Sequence, residues 1–135
     1  MNKETIEVMH ECAVLSDKGE IRFPEVVRKL TEAGVERYHA DLSRAEHVYY
    51  MPSGESHVEK MPELEWKAAT EFSDAEVEAA VRTIQRGEIL YMEFVRRVMA
   101  AGCVGWVVLL DGRQTQYFGR KGEMHIERFP APQGS

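Results

Sequence analysis

Residues 19–61, GEIRFPEVVRKLTEAGVERYHADLSRAEHVYYMPSGESHVEKM, and residues 87–129, GEILYMEFVRRVMAAGCVGWVVLLDGRQTQYFGRKGEMHIERF, are one pattern written twice. They align without a gap at an offset of 68 residues, and their punctuating glycines coincide as Gly19/Gly87, Gly34/Gly102 and Gly54/Gly122. A repeated unit predicts two similar lobes related by a pseudo-two-fold. Each lobe has about 60 residues, near the lower limit for folding alone. A single domain over 1–135 is therefore expected, built of repeats at about 1–61 and 73–129 with a linker at 62–72, and sharing one core.

Working outward from the repeat, each copy reads as helix, helix and a three-stranded antiparallel meander, which makes the expected fold class α+β. Ile6, Met9 and Ala13 share one face of the first helix, and Val77, Val81 and Ile84 form the matching stripe in the second copy, opened by a capping signature at Ser73 and Glu76. The next helix carries Phe23, Val26, Val27 and Leu30, repeated as Tyr91, Phe94, Val95 and Val98, and stops at Gly34 and Gly102. The period then changes to two. Strands are expected at 35–42, 46–51 and 55–60, and at 103–110, 114–119 and 123–129. Their turns are Ser43-Arg44, Ser53-Gly54, Asp111-Gly112 and Lys121-Gly122. From Pro130 the sequence PAPQGS reads as a frayed tail.

Pairing the strands through two-residue turns sorts the side chains onto two faces. Tyr38, Ala40, Leu42, Tyr49 and Val58, with Trp106, Val108, Leu110, Tyr117 and Ile126, are expected beneath the helices. The core is expected to hold Phe23, Val27, Leu30, Tyr38, Leu42, Phe94, Val95, Val98, Trp106, Val108 and Tyr117. The other face carries Arg37, His39, Asp41, Tyr50, Glu55, His57 and Glu59 in the first copy. In the second it carries Val107, Leu109, Gln114, Gln116, Phe118, Glu123, His125 and Glu127. Val107, Leu109 and Phe118 are apolar where the first copy has His39, Asp41 and Tyr50. They are candidate interface residues, to be covered by Leu64 and Trp66 of the linker, by the other lobe or by a second chain.

Composition excludes several functions. A net charge of −6 and a pI near 5.4 oppose sequence-independent nucleic-acid binding, which needs a basic surface. No apolar run approaches the ~18 residues of a membrane span. The start, MNKETIEVMHEC, is too polar for a signal peptide, so a cytoplasmic protein is expected. Two cysteines at unmatched positions, Cys12 and Cys103, form neither a disulfide framework nor a zinc cage. No G-x-S-x-G, P-loop, GxGxxG, HExxH or paired CxxC occurs. No cofactor is expected.

The most chemical-looking element is GExHxE, present as Glu55-His57-Glu59 and as Glu123-His125-Glu127. Its spacing of two puts three ligand-type side chains on one strand face, where imidazole and carboxylate suit a divalent ion. The simpler reading is a polar outer face of an edge strand. His10 reads as a surface helix residue. His47 has Thr115 as its counterpart, so no symmetric role follows for it.

The second copy, IQRGEILYMEFVRRVMAAGCVGWVVLLDGRQTQYFGRKGEMHIERFP, resembles a bacterial family of domains of unknown function that includes YbcV-type proteins, some labelled "phage envelope protein". AAGCVGW, YFG and GExHxE carry the resemblance, which covers nearly the whole chain and implies no activity or catalytic residue. Two function classes follow. One is a non-enzymatic binding or assembly module that meets a protein partner or its own copy through the apolar sheet face. The other is a small-ligand or metal-dependent enzyme using the GExHxE strands.

Overall fold

A computed structural model describes residues 1–130; the remainder of the expected tail, from 131, lies outside the described residues. The elements run α1 (Lys3–Lys18), α2 (Phe23–Glu32), β1 (Arg37–Asp41), β2 (Glu46–Tyr50), β3 (Ser56–Lys60), α3 (Asp74–Gln85), α4 (Tyr91–Ala100), β4 (Cys103–Leu109), β5 (Gln114–Gly119) and β6 (Met124–Arg128). The protein is α+β. The six strands form one antiparallel sheet in the order β3-β2-β1-β4-β5-β6, with the helices packed on one side.

Local chemistry sets the helix ends. Asn2 caps α1 by accepting from the Thr5 N–H at 2.8 Å, and Ser73 caps α3 by accepting from the Glu76 N–H at 3.1 Å. Gly102 follows α4 at φ 92°. A Cβ there would stand 2.2 Å from the Glu71 carbonyl, so this position requires glycine twice over.

Strands β1 and β4 join the two ααβββ runs at the centre of the sheet. His39 faces Val107 there, a position 68 residues away, and Tyr38–Val108 is mirrored by Ala40–Trp106. Buried side chains from both runs form a single cluster, which includes Met9, Leu30, Tyr38, Tyr49, Val77, Phe94, Val95, Val98, Trp106, Val108 and Tyr117. Fully burying a chain of Val, Leu or Phe size is worth about 1.5–3 kcal/mol, so this shared cluster is what binds the runs to one another. Phe23 departs from expectation. It sits in the first turn of α2, beyond the sheet's cover, is 41% exposed and meets Phe129 edge-on at 5.4 Å. Val27 is only partly buried.

The outer hairpins correct the expected side-chain orientation. Two-residue turns at Ser53-Gly54 and Lys121-Gly122 would pair Tyr49 with Val58 and Tyr117 with Ile126. In the structure Tyr49 faces His57 and Tyr117 faces His125. Each loop holds one more residue. The Gly54 N–H donates to the Met51 carbonyl at 2.9 Å and Gly122 to Gly119 at 3.2 Å, with both glycines left-handed. This is a β-turn followed by a glycine bulge rather than a two-residue hairpin. A slip of one residue turns every side chain over. His57, Glu59, His125 and Glu127 therefore face the helices, while Val58 and Ile126 stand on the open face, 44% and 48% exposed. The linker corrects a second expectation. Leu64 and Trp66 lie at the end of the sheet beside Leu42, Met99 and Val104, away from Val107 and Leu109.

Candidate functional site

The two GExHxE segments form the two rims of the sheet, because β3 and β6 are its edge strands. Turned under, each His–Glu pair meets the first helix of its own run. On β3, Glu59 takes His57 Nε2 at 2.5 Å on one oxygen and His10 Nδ1 of α1 at 2.8 Å on the other. Burial works against the Glu59 charge, but these two bonds hold its carboxyl below the usual range. On β6, His125 Nδ1 meets Asp74 at 2.5 Å and its Nε2 meets Glu127 at 3.2 Å, and Arg82 of α3 donates to Glu127 at 2.5 Å. Glu127 is likewise held low by Arg82 and His125 against the effect of burial. Glu55 and Glu123 stay out in the turns, where Glu55 pairs with the N-terminal amine and Glu123 accepts from the Lys121 N–H at 2.9 Å. The structure thus brings together two of the three residues in each motif. Among the described residues, no three His, Cys, Asp or Glu side chains are placed to hold a metal ion.

Between β2 and the start of α4 lies a polar group that the sequence pattern did not reveal. His47 is buried, with Nε2 2.7 Å from the Tyr91 hydroxyl and Nδ1 3.3 Å from the Tyr49 hydroxyl. Burial pushes its pKa down to about 4, so the ring is neutral and can accept one bond and donate the other. At the C-terminal end of α1, Asp17 has a buried oxygen with no hydrogen-bond partner, and burial, then the Glu59 charge, pushes its carboxyl up to about 6. The signal for this group was present as a paired difference. Where the first run has His47 and receives Tyr91, the second has Thr115, and Phe23 stands where Tyr91 would. The group ties α4 of one run to β2 of the other. Both thiols are buried and pushed up to about 11, chiefly by that burial, which leaves Cys12 and Cys103 unreactive.

Among the described residues, the side of the sheet away from the helices carries no second layer. Register places Val58, Val48, His39, Val107, Gln116 and Ile126 in one row across all six strands. Ser56, Tyr50, Arg37, Leu109, Gln114 and Arg128 form a parallel row on one side of it. Lys60, Glu46, Asp41, Gly105, Phe118 and Met124 form the row on the other. Val107, Leu109 and Phe118 lie on this face as the sequence reading placed them, half-buried by their neighbours. Met124 is 48% exposed. Tyr50 takes Arg37 over its ring at 4.4 Å and lies against His39 at 5.0 Å. A hollow of about 500 Å³ lies among His39, Asp41, Val48, Tyr50 and Phe118, and the Phe118 ring packs over Gly105, where a Cβ would stand 3.2 Å from it.

Among the described residues no helix is long and apolar enough to cross a membrane. No curated protein matches the sequence. A family model matches residues 58–128, from the middle of β3 to the end of β6, and so takes in the β6 rim, the central strand β4 and the second run's share of the open face. The chain belongs to that family, described as proteins of unknown function (DUF1398).

Proposed function

We propose that this protein is a non-enzymatic assembly module, and that the open face of its sheet stacks on the open face of a second copy. One observation carries the reading: a row running across all six strands is apolar but for His39 and Gln116, and none of the described residues forms a layer over it. Six strands at about 4.8 Å spacing and five residues at about 3.3 Å rise give a face of roughly 500 Å² before side-chain relief. That approaches the ~800 Å² per partner of a standard interface. A two-fold along the row would set like residue on like, Val107 on Val107 and Val48 on Val48. Because Arg37 and Asp41 sit at opposite ends of β1, it would also lay each over the other's position in the partner. The proposal takes the two ααβββ runs as copies of one ancestral unit, which accounts for the near-symmetric row. It sets the protein in the cytoplasm and keeps the phage link only as what the sequence resemblance implies. The net charge of −6 favours a protein partner over nucleic acid. The enzyme reading of the GExHxE strands has less support, since His57, Glu59, His125 and Glu127 are occupied with one another and with α1 and α3.

Sedimentation of the native protein beside Leu109→Glu tests this. A native dimer and a folded monomeric variant are expected. A native monomer, or a variant that remains dimeric, ends the proposal.

A further inference from the structure

The linker builds a second concave site where the sheet ends. The Met61 N–H donates to the Ala45 carbonyl at 2.8 Å, and eight residues later the Ala69 N–H donates to the Met99 carbonyl at 2.9 Å. Between these anchors, residues 62–68 arch over the β1–β2 turn and the start of β4 without regular structure. The space left beneath is a hollow of about 420 Å³, within the range of small-molecule sites. Its apolar lining comes from Leu42, Leu64, Trp66, Met99 and Val104.

The mouth has a charge opposite to that of the protein. Arg44, Lys67 and Arg120 line it with a single acid, Glu63, in a chain of net charge −6. Arg120 is pre-positioned. Its Nη2 donates to the Ala68 carbonyl at 2.7 Å and its Nε approaches the Ala69 carbonyl at 3.5 Å, which fixes the guanidinium plane and leaves Nη1 for a ligand. Arg44 spends Nε on Glu46 at 2.8 Å and keeps both terminal nitrogens. Lys67 has no ion pair among the described residues. A hollow of mixed lining, with apolar walls at Leu42, Leu64 and Trp66 and a rim of a fixed guanidinium, Lys67 and the Glu46-paired Arg44, is complementary to one ligand class, an anion with an apolar body.

We infer that this hollow binds a small apolar carboxylate, its tail against Trp66 and Leu42 and its carboxylate at Arg120 and Lys67. The site adjoins the open sheet face, sharing Ser43 and Val104 with the hollow there, but Trp66, Lys67 and Arg120 line this hollow alone and the inference does not rest on dimerisation. The second ααβββ run is followed by no comparable arch among the described residues, so one site per chain is expected.

Octanoate is a suitable probe, with octanol and octylamine as matched neutral and cationic controls. The chain has two tryptophans, Trp66 at the hollow and Trp106 in the core, so their indole N–H signals in NMR report the two places separately. Octanoate is expected to shift the Trp66 signal saturably and leave Trp106 in place, with octanol and octylamine at least fivefold weaker. Lys67→Gln, which breaks no contact of the fold, is expected to raise the octanoate Kd at least threefold, and Lys67→Gln with Arg44→Gln at least tenfold. An unmoved Trp66 signal, equal binding of octanol, or full octanoate affinity in the folded double variant would each overturn the assignment.

Discussion

The two rims of the sheet carry the same motif and solve the same problem with different partners. On β3 the inward Glu59 is held by two histidines, His10 and His57. On β6 the inward Glu127 is held by Arg82 and by His125, which Asp74 also engages. The difference deepens one strand further in, where His47 with Tyr91 in one half of the sheet answers to Thr115 with Phe23 in the other. The first run therefore answers its inward acid with two imidazoles, whereas the second answers with a guanidinium and one imidazole. The strand motif is shared; the partners of its acid are set by what the helices bring to it.

The largest effect should come from where the halves are alike. Trp106 and Tyr38 occupy matching buried positions on the central strands. Trp106→Ala should cost about 3–5 kcal/mol in denaturant unfolding, and Tyr38→Ala nearly as much. If only one of them matters, the core is not shared as the packing indicates.

Next comes the His47–Tyr91 pair. Tyr91→Phe strands a buried imidazole nitrogen and should cost about 1–3 kcal/mol. Phe23→Tyr at the matching, exposed position should change stability by less than about 0.5 kcal/mol. The pair also sets a pH window. The folded value for His47, about 4, lies below its ordinary 6.5, so the unfolded chain takes up a proton that the folded chain refuses. That contribution is complete above about 6.5 and is lost as pH falls toward 4. Asp17 works in the opposite sense. Its folded value of about 6 lies above 3.8, so its effect favours the folded form in acid and is lost as pH rises through that interval. Melting temperatures from pH 4 to 7 should therefore fall more steeply toward acid in Asp17→Asn than in the native chain, and less steeply in His47→Thr. Parallel curves for all three would remove both assignments.

The rims themselves should give the smallest change. Glu127→Gln and Glu59→Gln should each cost about 0.5–1 kcal/mol at neutral pH, as partly exposed ion pairs do. Both losses should shrink as pH falls below the ordinary carboxylate range, because each carboxyl is held low in the folded chain. A loss that stays constant into acid in either variant would show that its carboxylate is not held as an ion by these partners.

What could be read from the sequence follows from how locally each feature is determined. Helix stripes, capping by Ser73 and the pairing of β1 with β2 and β4 with β5 depend on neighbouring residues, and they appear in the structure where the pattern placed them. Tyr38, Leu42, Trp106 and Val108 are buried for the same reason. The orientation of His57 and His125 was misread because it turns on one extra loop residue, and Ser-Gly or Lys-Gly serves both a two-residue hairpin and a turn with a glycine bulge. The His47–Tyr91 contact joins positions 44 residues apart and follows only once β1 and β4 meet at the centre of the sheet. No periodicity records that. The cationic hollow escaped for a related reason, since its lining comes from a turn, a linker, a helix end and a strand end that alternation alone cannot bring together.

The acid turned under at each rim bears on what the sheet can become. A strand added to β3 or β6 would extend the ladder and cover Glu59 or Glu127 more deeply, stripping water from a charge already held in place by its helix. Lateral growth is thus penalised at both ends at once, and the exposed Val58 and Ile126 do not become the start of a fibre. Association through the flat side has no such penalty, and it consumes the one surface it uses. Any assembly of this chain through that side closes at a fixed number of copies, so its size is governed by geometry rather than by concentration alone.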